Sequence, residues 1–257
     1  VFAQAARENG VRVFAVAHEG ETDPGLNELA EEVLWVKIGQ FKRAVDFFQK
    51  HGVADVVMAG GITKINIFKH FRPDFKTLSL MARVRDLNDD RVLRALADEF
   101  AKEGIVIRPS TIYTPQLLAP EGILTKRKPT KEEWLDIDFG WTIAKSLGRL
   151  DVGQCVVVRN RIVLALEAVD GTDETIRRGG RLAREKAVVV KVSKPGQDMR
   201  FDVPTVGPET VRVMAEVRAS ALAVEAGRTL IFDRREMVAA ADRAGLAIVA
   251  RSEVEEC

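Results

Sequence analysis

Residues 33–61, VLWVKIGQFKRAVDFFQKHGVADVVMAGG, decide the fold of the first half of the chain. Val33 to Ile38 is a short apolar run that ends at Gly39 and reads as a buried strand. Phe41, Ala44, Val45 and Phe48 then fall at i, i+3, i+4 and i+7, one face of a helix that stops at Gly52. Asp55 to Ala59 is strand-like again and runs into Gly60-Gly61. Strand, helix and strand in so short a compass predict a parallel β-α-β unit.

The same rhythm extends on both sides. Val1 to Asn9 reads as a helix closed by Gly10, and Val11 to Ala17 as a strand. The chain is therefore expected to begin inside a unit whose first strand is missing. Helices are expected over Phe75 to Val84 and from an N-cap at Asn88 to Gly104, then a strand at Ile105 to Ile107. The expectation for residues 1–129 is a Rossmann-like domain with a parallel sheet. Pro109, Pro115, Pro120 and Pro129, with Lys126-Arg127-Lys128, make its tail a turn-rich connector. That connector is read as solvated, with contact to an anionic membrane as the alternative.

Residues 130–257 are expected to form a second, mixed α/β domain. Thr130-Lys-Glu-Glu133 has capping-box spacing and opens a long helix to Leu147 or Arg149. Gln154 to Val158 and Ile162 to Glu167 flank Arg159-Asn160-Arg161 as a hairpin. A helix opens at Gly171-Thr172-Asp173-Glu174 and carries Arg177, Arg178, Arg181 and Arg184 on a face read as solvated. Ala187 to Val192 is a strand, Met199 to Val203 reads as extended, and Pro208 starts a helix through Val211, Met214 and Ala215. The end is strand Thr229 to Phe232, a helix capped by Asp233 with Glu236 three residues on, and strand Leu246 to Ala250.

Composition narrows the function. Among 257 residues, 39 Lys+Arg balance 38 Asp+Glu, and 46% are hydrophobic, which describes a globular protein without the basic excess of a nucleic-acid binder. Two cysteines, Cys155 and Cys257, are too few for a disulfide framework and fit a reducing cytoplasm. No apolar run approaches the roughly 18 residues of a membrane span. The glycine signatures of phosphate loops, dinucleotide sites and nucleophile elbows are absent, and His18, His51 and His70 have no zinc spacing.

Three strand-end turns remain as ligand sites, because open parallel sheets bind beyond the carboxyl ends of their strands. Gly39-Gln40 and Ala59-Gly60-Gly61-Ile62-Thr63-Lys64 either admit a ligand to the backbone or are ordinary turns. The richest stretch is Lys191 to Gly207, with Lys191, Lys194, Gln197, Asp198, Arg200, Asp202 and Thr205. Cations that neutralise phosphate beside carboxylates that hold Mg²⁺ or orient water suit phosphoryl chemistry. Asp202 is either functional or an Asx turn before Pro204. Asp170-Gly-Thr172-Asp173 is either a second acidic, hydroxyl-bearing site turn or a plain N-cap.

Leu147-Gly-Arg-Leu-Asp-Val-Gly-Gln154, Asp136-Ile-Asp138, Asp170-Gly-Thr-Asp173 and the Lys191 to Gly207 stretch, in that order, resemble the LpxI family, with a match over nearly the whole chain. The resemblance implies two domains with substrate in the cleft between them. It implies metal-dependent hydrolysis of UDP-2,3-diacylglucosamine, a lipid-linked sugar nucleotide of lipid A biosynthesis, to UMP and 2,3-diacylglucosamine 1-phosphate. The family's catalytic aspartate falls on Asp202. Lys191, Lys194 and Arg200 then neutralise the pyrophosphate. Mg²⁺ or Mn²⁺ is expected on Asp202, Asp173 and Asp198, and substrate on Gly39, Gly60, Gly61, Thr172, Gln197 and Thr205. Peripheral contact with the cytoplasmic face of the inner membrane and a homodimer are both compatible with this reading. Two departures stand out: the family's opening strand and Gly-rich turn are missing here, and Asp170 stands where many relatives carry Glu. A non-catalytic nucleotide-binding regulatory module and a UDP-sugar glycosyltransferase are the competing readings.

Overall fold

The computed structural model describes residues 1–61, 71–83 and 89–252. The expectations placed on Ile62 to Lys64, His70, Val84, the Asn88 cap and Cys257 lie outside the described residues. The chain divides into two compact units, residues 1–114 with 198–201, and residues 115–197 with 202–257.

In the first unit, helix α1 (Phe2–Glu8) is followed by strands β1 (Phe14–His18) and β2 (Glu32–Val36), which pair in parallel. Helix α2 (Phe41–Lys50) leads to β3 (Asp55–Val57). Helices α3 (Phe75–Arg83) and α4 (Asp89–Lys102) precede β4 (Val106–Arg108), which pairs in parallel with β3. The apolar stripe of α2 does what its spacing predicts: Phe41, Ala44, Val45 and Phe48 are buried with Phe100, Ile105 and Ile107. Phe201, from the four-residue excursion 198–201, packs on this cluster.

The second unit is built on a six-stranded mixed sheet of β5 (Gly122–Ile123), β6 (Cys155–Arg159), β7 (Ile162–Leu166), β8 (Val188–Lys191), β10 (Ala221–Glu225) and β12 (Ala247–Arg251), in spatial order β5-β12-β10-β8-β6-β7. The central strands β12, β10 and β8 are parallel, and the flanking pairs are antiparallel. A small parallel pair, β9 (Thr205–Val206) with β11 (Leu230–Ile231), stands apart. Helix α5 (Lys131–Arg149) covers one face of the large sheet, packing Ile137, Trp141, Ala144 and Leu147 on Val156, Val158, Val188 and Val190. Helices α6 (Gly171–Ala183), α7 (Pro208–Glu216) and α8 (Arg234–Ala244) cover the other, through Ile176, Met214 and Met237 against Val157, Val189, Leu222 and Ile248. Because both faces are buried, the strands read as unbroken valine and alanine runs with no polar alternation.

Local chemistry explains the turns. The hairpin expected at residues 159–161 is present, with Asn160 and Arg161 both at positive φ (53° and 57°), as a two-residue primed turn requires. The Asp136 carboxylate accepts both of their N–H groups, at 2.9 and 2.5 Å, so one carboxylate on α5 pins the turn. In α6, a Cβ on Gly180 would lie 2.2 Å from the Val217 side chain and one on Gly179 2.5 Å from Val157, so only glycine lets this helix sit so low on its neighbours.

Three expectations are corrected. Met199 to Val203 is not extended: residues 199–201 form a turn, because the Asp198 side chain accepts the Arg200 N–H and the Asp198 carbonyl accepts the Phe201 N–H. Asp233 does not cap α8 with its side chain, since its backbone is left-handed at φ 44°. The connector is not uniformly solvated: Gly122–Ile123 pairs with β12, and Arg127 donates to Glu133 and to the Ser220 carbonyl.

Thr130 and Glu133 form the expected capping box at the start of α5. Burial pushes the Glu133 pKa up, but hydrogen bonds from Arg127 and the Thr130 N–H outweigh it and hold the carboxyl below its ordinary range. A depressed folded-state pKa contributes stability that is present above the unfolded value, near ~4.3, and lost as pH falls through the folded value. Glu133→Gln should therefore flatten the loss of stability on acidification. Urea unfolding of both proteins between about pH 6 and pH 3 measures this, and parallel pH profiles would contradict it.

Candidate functional site

An open depression of about 560 Å³ lies in the second unit. It is lined by Asp170 to Asp173 at the start of α6, Lys191 at the end of β8, Thr205 to Thr210 at the start of α7, and Phe232. The N-termini of two helices thus open on one space, and each leaves first-turn N–H groups without an intrahelical acceptor. No side chain caps α6, and Pro208 occupies the first turn of α7, where its missing N–H costs nothing. Partial positive charge from both helix ends, plus the Lys191 ammonium, makes this depression receptive to phosphate.

Lys191 is buried at 8% exposure, and its Nζ donates to the Thr205 carbonyl at 2.8 Å. That bond joins the two segments of the Lys191 to Gly207 stretch at the pocket. The Thr172 hydroxyl donates to Glu167 Oε1 at 2.6 Å, and Glu167 Oε2 accepts the Gln154 N–H at 2.9 Å. Neither Thr172 nor Asp173 is the N-cap; they stand inside the first turn, which removes the plain-cap reading. Of the pocket's carboxylates, Asp170 is held by Arg178 at 2.8 Å and Glu209 is paired with Arg212. Asp173 has no hydrogen-bond or ion-pair partner among the described residues.

A second constellation follows Lys191 along the chain. Gln197 Oε1 accepts the Lys194 N–H at 2.8 Å and the Ser193 hydroxyl at 3.2 Å, while its Nε2 donates to Asp202 Oδ2 at 2.7 Å. Asp202 is exposed and makes no Asx turn; that turn belongs to Asp198. Lys194 Nζ meets Asp151 at 2.7 Å. Arg200 is engaged with both oxygens of Asp198 and stacks over Phe201 at 4.8 Å, and these residues group with the first unit. The Arg200 hydrogen bonds hold Asp198 below the usual carboxylate range.

Of the residues singled out from sequence, the depression gathers Thr172, Asp173, Lys191 and Thr205, and a hydrogen bond joins Gln197 to Asp202. The first unit's glycines differ among themselves. Gly60 and Gly61 face open space, whereas a Cβ at Gly39 would lie 2.9 Å from Phe71, so Gly39 serves close packing. No three His, Cys, Asp or Glu side chains form a metal-holding group among the described residues. Cys155 is buried, which pushes its thiol pKa up and leaves it inert.

The LpxI N-terminal domain model matches residues 1–117 and the LpxI C-terminal domain model residues 120–249. The UDP-2,3-diacylglucosamine pyrophosphatase LpxI of Caulobacter vibrioides is 36% identical over 251 residues, covering 93% of this chain and 88% of that protein. The chain belongs to the LpxI family. Partial similarity extends to the bifunctional purine biosynthesis protein PurH of Anaeromyxobacter sp. strain K, 32% identical over 134 residues, half of this chain but 22% of that protein. PurH of Sorangium cellulosum matches to the same identity over 133 residues. No described helix is long and apolar enough to cross a membrane.

Several residues that organise this candidate site carry little signal in the sequence. Glu167 and Glu209 carry no spacing signal, as single carboxylates outside a dense motif, and Asp151 lies within the quoted Leu147 to Gln154 stretch with no role assigned to it. Lys145 and Glu225 form a buried ion pair at 2.9 Å. A signal for Lys145 did exist: it sits four residues after Trp141 and eight after Ile137, on the buried stripe of α5.

The depression should bind inorganic pyrophosphate, shifting the backbone amide resonances of Thr172, Asp173, Glu209 and Thr210. Lys191→Met should weaken that binding about tenfold or more, the worth of a buried charged hydrogen bond. Titration followed by NMR checks both, and shifts confined to other residues would move the site elsewhere.

Proposed function

We propose that this chain hydrolyses the pyrophosphate bond of UDP-2,3-diacylglucosamine to UMP and 2,3-diacylglucosamine 1-phosphate in lipid A biosynthesis. The observation that carries the reading to a site is the convergence of two uncapped helix starts and buried Lys191 on one depression. Membership of the family over both domains, and the activity named for the Caulobacter relative, support the substrate. The first unit, with parallel pairs and intervening helices, is read as the Rossmann-like half.

In this reading the helix N-termini and Lys191 bind the pyrophosphate, whose charge grows on both products as the bond breaks. Lys194 and Arg200 add positive charge once drawn from Asp151 and Asp198. Thr172 and Thr205, both at the depression, are assigned to the substrate, and Gly60 and Gly61 keep that assignment within the first unit. Asp202 has its Oδ2 fixed by Gln197 and its Oδ1 free of protein donors among the described residues, so it can accept a proton from water. That water attacks the phosphorus attached to uridine, and the bond to the sugar phosphate oxygen breaks. Of the carboxylates expected to hold a hard divalent ion completed by phosphate and water, Asp173 would be the best suited because it is open, Asp202 would have to share its one open oxygen with the attacking water, and Asp198 is the least suited because Arg200 holds both of its oxygens. Mg²⁺ or Mn²⁺, if held by these residues, would supply further neutralisation of the pyrophosphate. A two-chain lipid substrate fits a peripheral enzyme at the cytoplasmic face of the inner membrane.

Incubation with UDP-2,3-diacylglucosamine and Mg²⁺ or Mn²⁺ should yield UMP and the sugar 1-phosphate in equal amounts, with ¹⁸O from water in UMP. Asp202→Ala should lower kcat by roughly 10²- to 10⁴-fold, the range for loss of a general base, in a protein that still unfolds cooperatively. Label in the sugar phosphate, or UDP released only with an acceptor, would overturn the reaction.

A further inference from the structure

We infer that the buried Lys145–Glu225 pair and Gln197 are positioning residues that set the location of Asp202; the inference rests on the hydrolytic reading above. Lys145 Nζ lies 3.0 and 2.9 Å from the two Glu225 oxygens, with side-chain exposures of 7% and 1%. Both partners also grip the backbone of one residue just past β8, on the N–H and the C=O of Ser193. Glu225 Oε2 accepts the Ser193 N–H at 2.8 Å, and Lys145 Nζ donates to the Ser193 carbonyl at 3.2 Å. Ser193 is itself fully buried.

From there the bonds run outward without a gap. The next residue, Lys194, gives its N–H to Gln197 Oε1, and the Ser193 hydroxyl joins the same oxygen. That fixes the amide's orientation, because its oxygen must face the two donors and its NH₂ must face Asp202. Gln197 Nε2 then holds Asp202 Oδ2 at 2.7 Å. The exposed carboxylate is thus referred to the sheet core through one peptide and one amide. A buried ion pair is weak evidence for stability, since its desolvation offsets its attraction. Its use here is directional: it satisfies the N–H and C=O of Ser193, which lie past the end of β8. Gln197, expected from sequence to touch substrate, has both its side-chain oxygen and its side-chain nitrogen bonded to the protein.

The test compares two charge-free double variants, Lys145→Met/Glu225→Leu and Lys145→Met/Glu225→Gln. Both remove the ion pair, but the glutamine carbonyl still accepts the Ser193 N–H. The leucine variant should lose roughly 10- to 100-fold in kcat, the scale of a misplaced reacting group, with KM nearly unchanged. The glutamine variant should recover much of that loss at a similar Tm. Hydrogen–deuterium exchange over residues 193–202 should quicken in the first and not in the second. Gln197→Leu, which leaves the core intact, should reproduce the kcat loss. Wild-type kcat in the folded leucine variant or in Gln197→Leu would overturn the inference, as would equal kcat in the two double variants. Should the wild-type protein fail to release UMP, the hydrolytic reading falls, while the exchange comparison still decides whether the pair orders this loop.

Discussion

The ammonium of Lys145 and the carboxylate of Glu225 are withdrawn from water together, and each costs several kcal/mol to desolvate. Such a pair persists only where every remaining lone pair and proton finds a partner. Here the missing partners are the N–H and C=O of Ser193, with Arg228 Nε 3.7 Å from Glu225 Oε1. That requirement couples three elements distant in sequence: Lys145 from α5, Glu225 from the end of β10, and Ser193 just past β8. Helix α5 cannot rotate, and β8 cannot slip against β10, without leaving a buried charge exposed to nothing. The register Val190↔Ala223 and Lys191↔Val224 is therefore fixed by electrostatics as well as by side-chain packing.

The same register places Lys191 as the last residue of β8, at the carboxyl end of a parallel strand. Ligands of parallel sheets gather there because helices start there. Two starts converge in this protein, yet the depression also holds Asp170, Asp173 and Glu209. Three carboxylates would cancel the attraction for phosphate. The structure answers by pairing Asp170 with Arg178 and Glu209 with Arg212, leaving Asp173 open. The arginines read from sequence as a solvated face thus have a second effect, since Arg178 neutralises a carboxylate at the pocket rim.

Elements with a strong period were legible in the sequence. The stripe of α2, the capping box of α5, the hairpin at Asn160-Arg161 and the apolar run of β8 all lie where spacing places them. The strands β5, β9 and β10 were not: the first two are two residues long and paired by neighbours far along the chain, and Ala221–Glu225 is a short apolar run that periodicity alone does not separate from a helical segment. Residues 199–201 misled for a related reason: Met199 and Phe201 look strand-like, but Asp198 offers its side chain to the local backbone and turns it. At the site, the clustered motif Lys191 to Gly207 announced itself by density of charge. The pair behind it did not, since a lysine on an apolar helix stripe and a glutamate closing an apolar strand declare themselves only once seen to meet.

The glycines of α6 complete the argument about placement. A helix interior loses roughly 1 kcal/mol for each glycine relative to alanine, so Gly179-Gly180 is a local cost. What they allow is contact with Val157 on β6 and Val217 beyond α7 at distances no Cβ could share. A helix carrying side chains at both positions would stand farther from the sheet. Its first turn, with Thr172 and Asp173, would move outward from Lys191, which β8 holds rigidly at the depression's floor. Helix propensity is thus given up six to eight residues along the helix from Thr172 and Asp173, and the helix N-terminus and Lys191 face the same depression. The hydrogen bond from Thr172 to Glu167, and from the Gln154 backbone to the same carboxylate, then locks that first turn to the sheet edge once the glycines have brought it close.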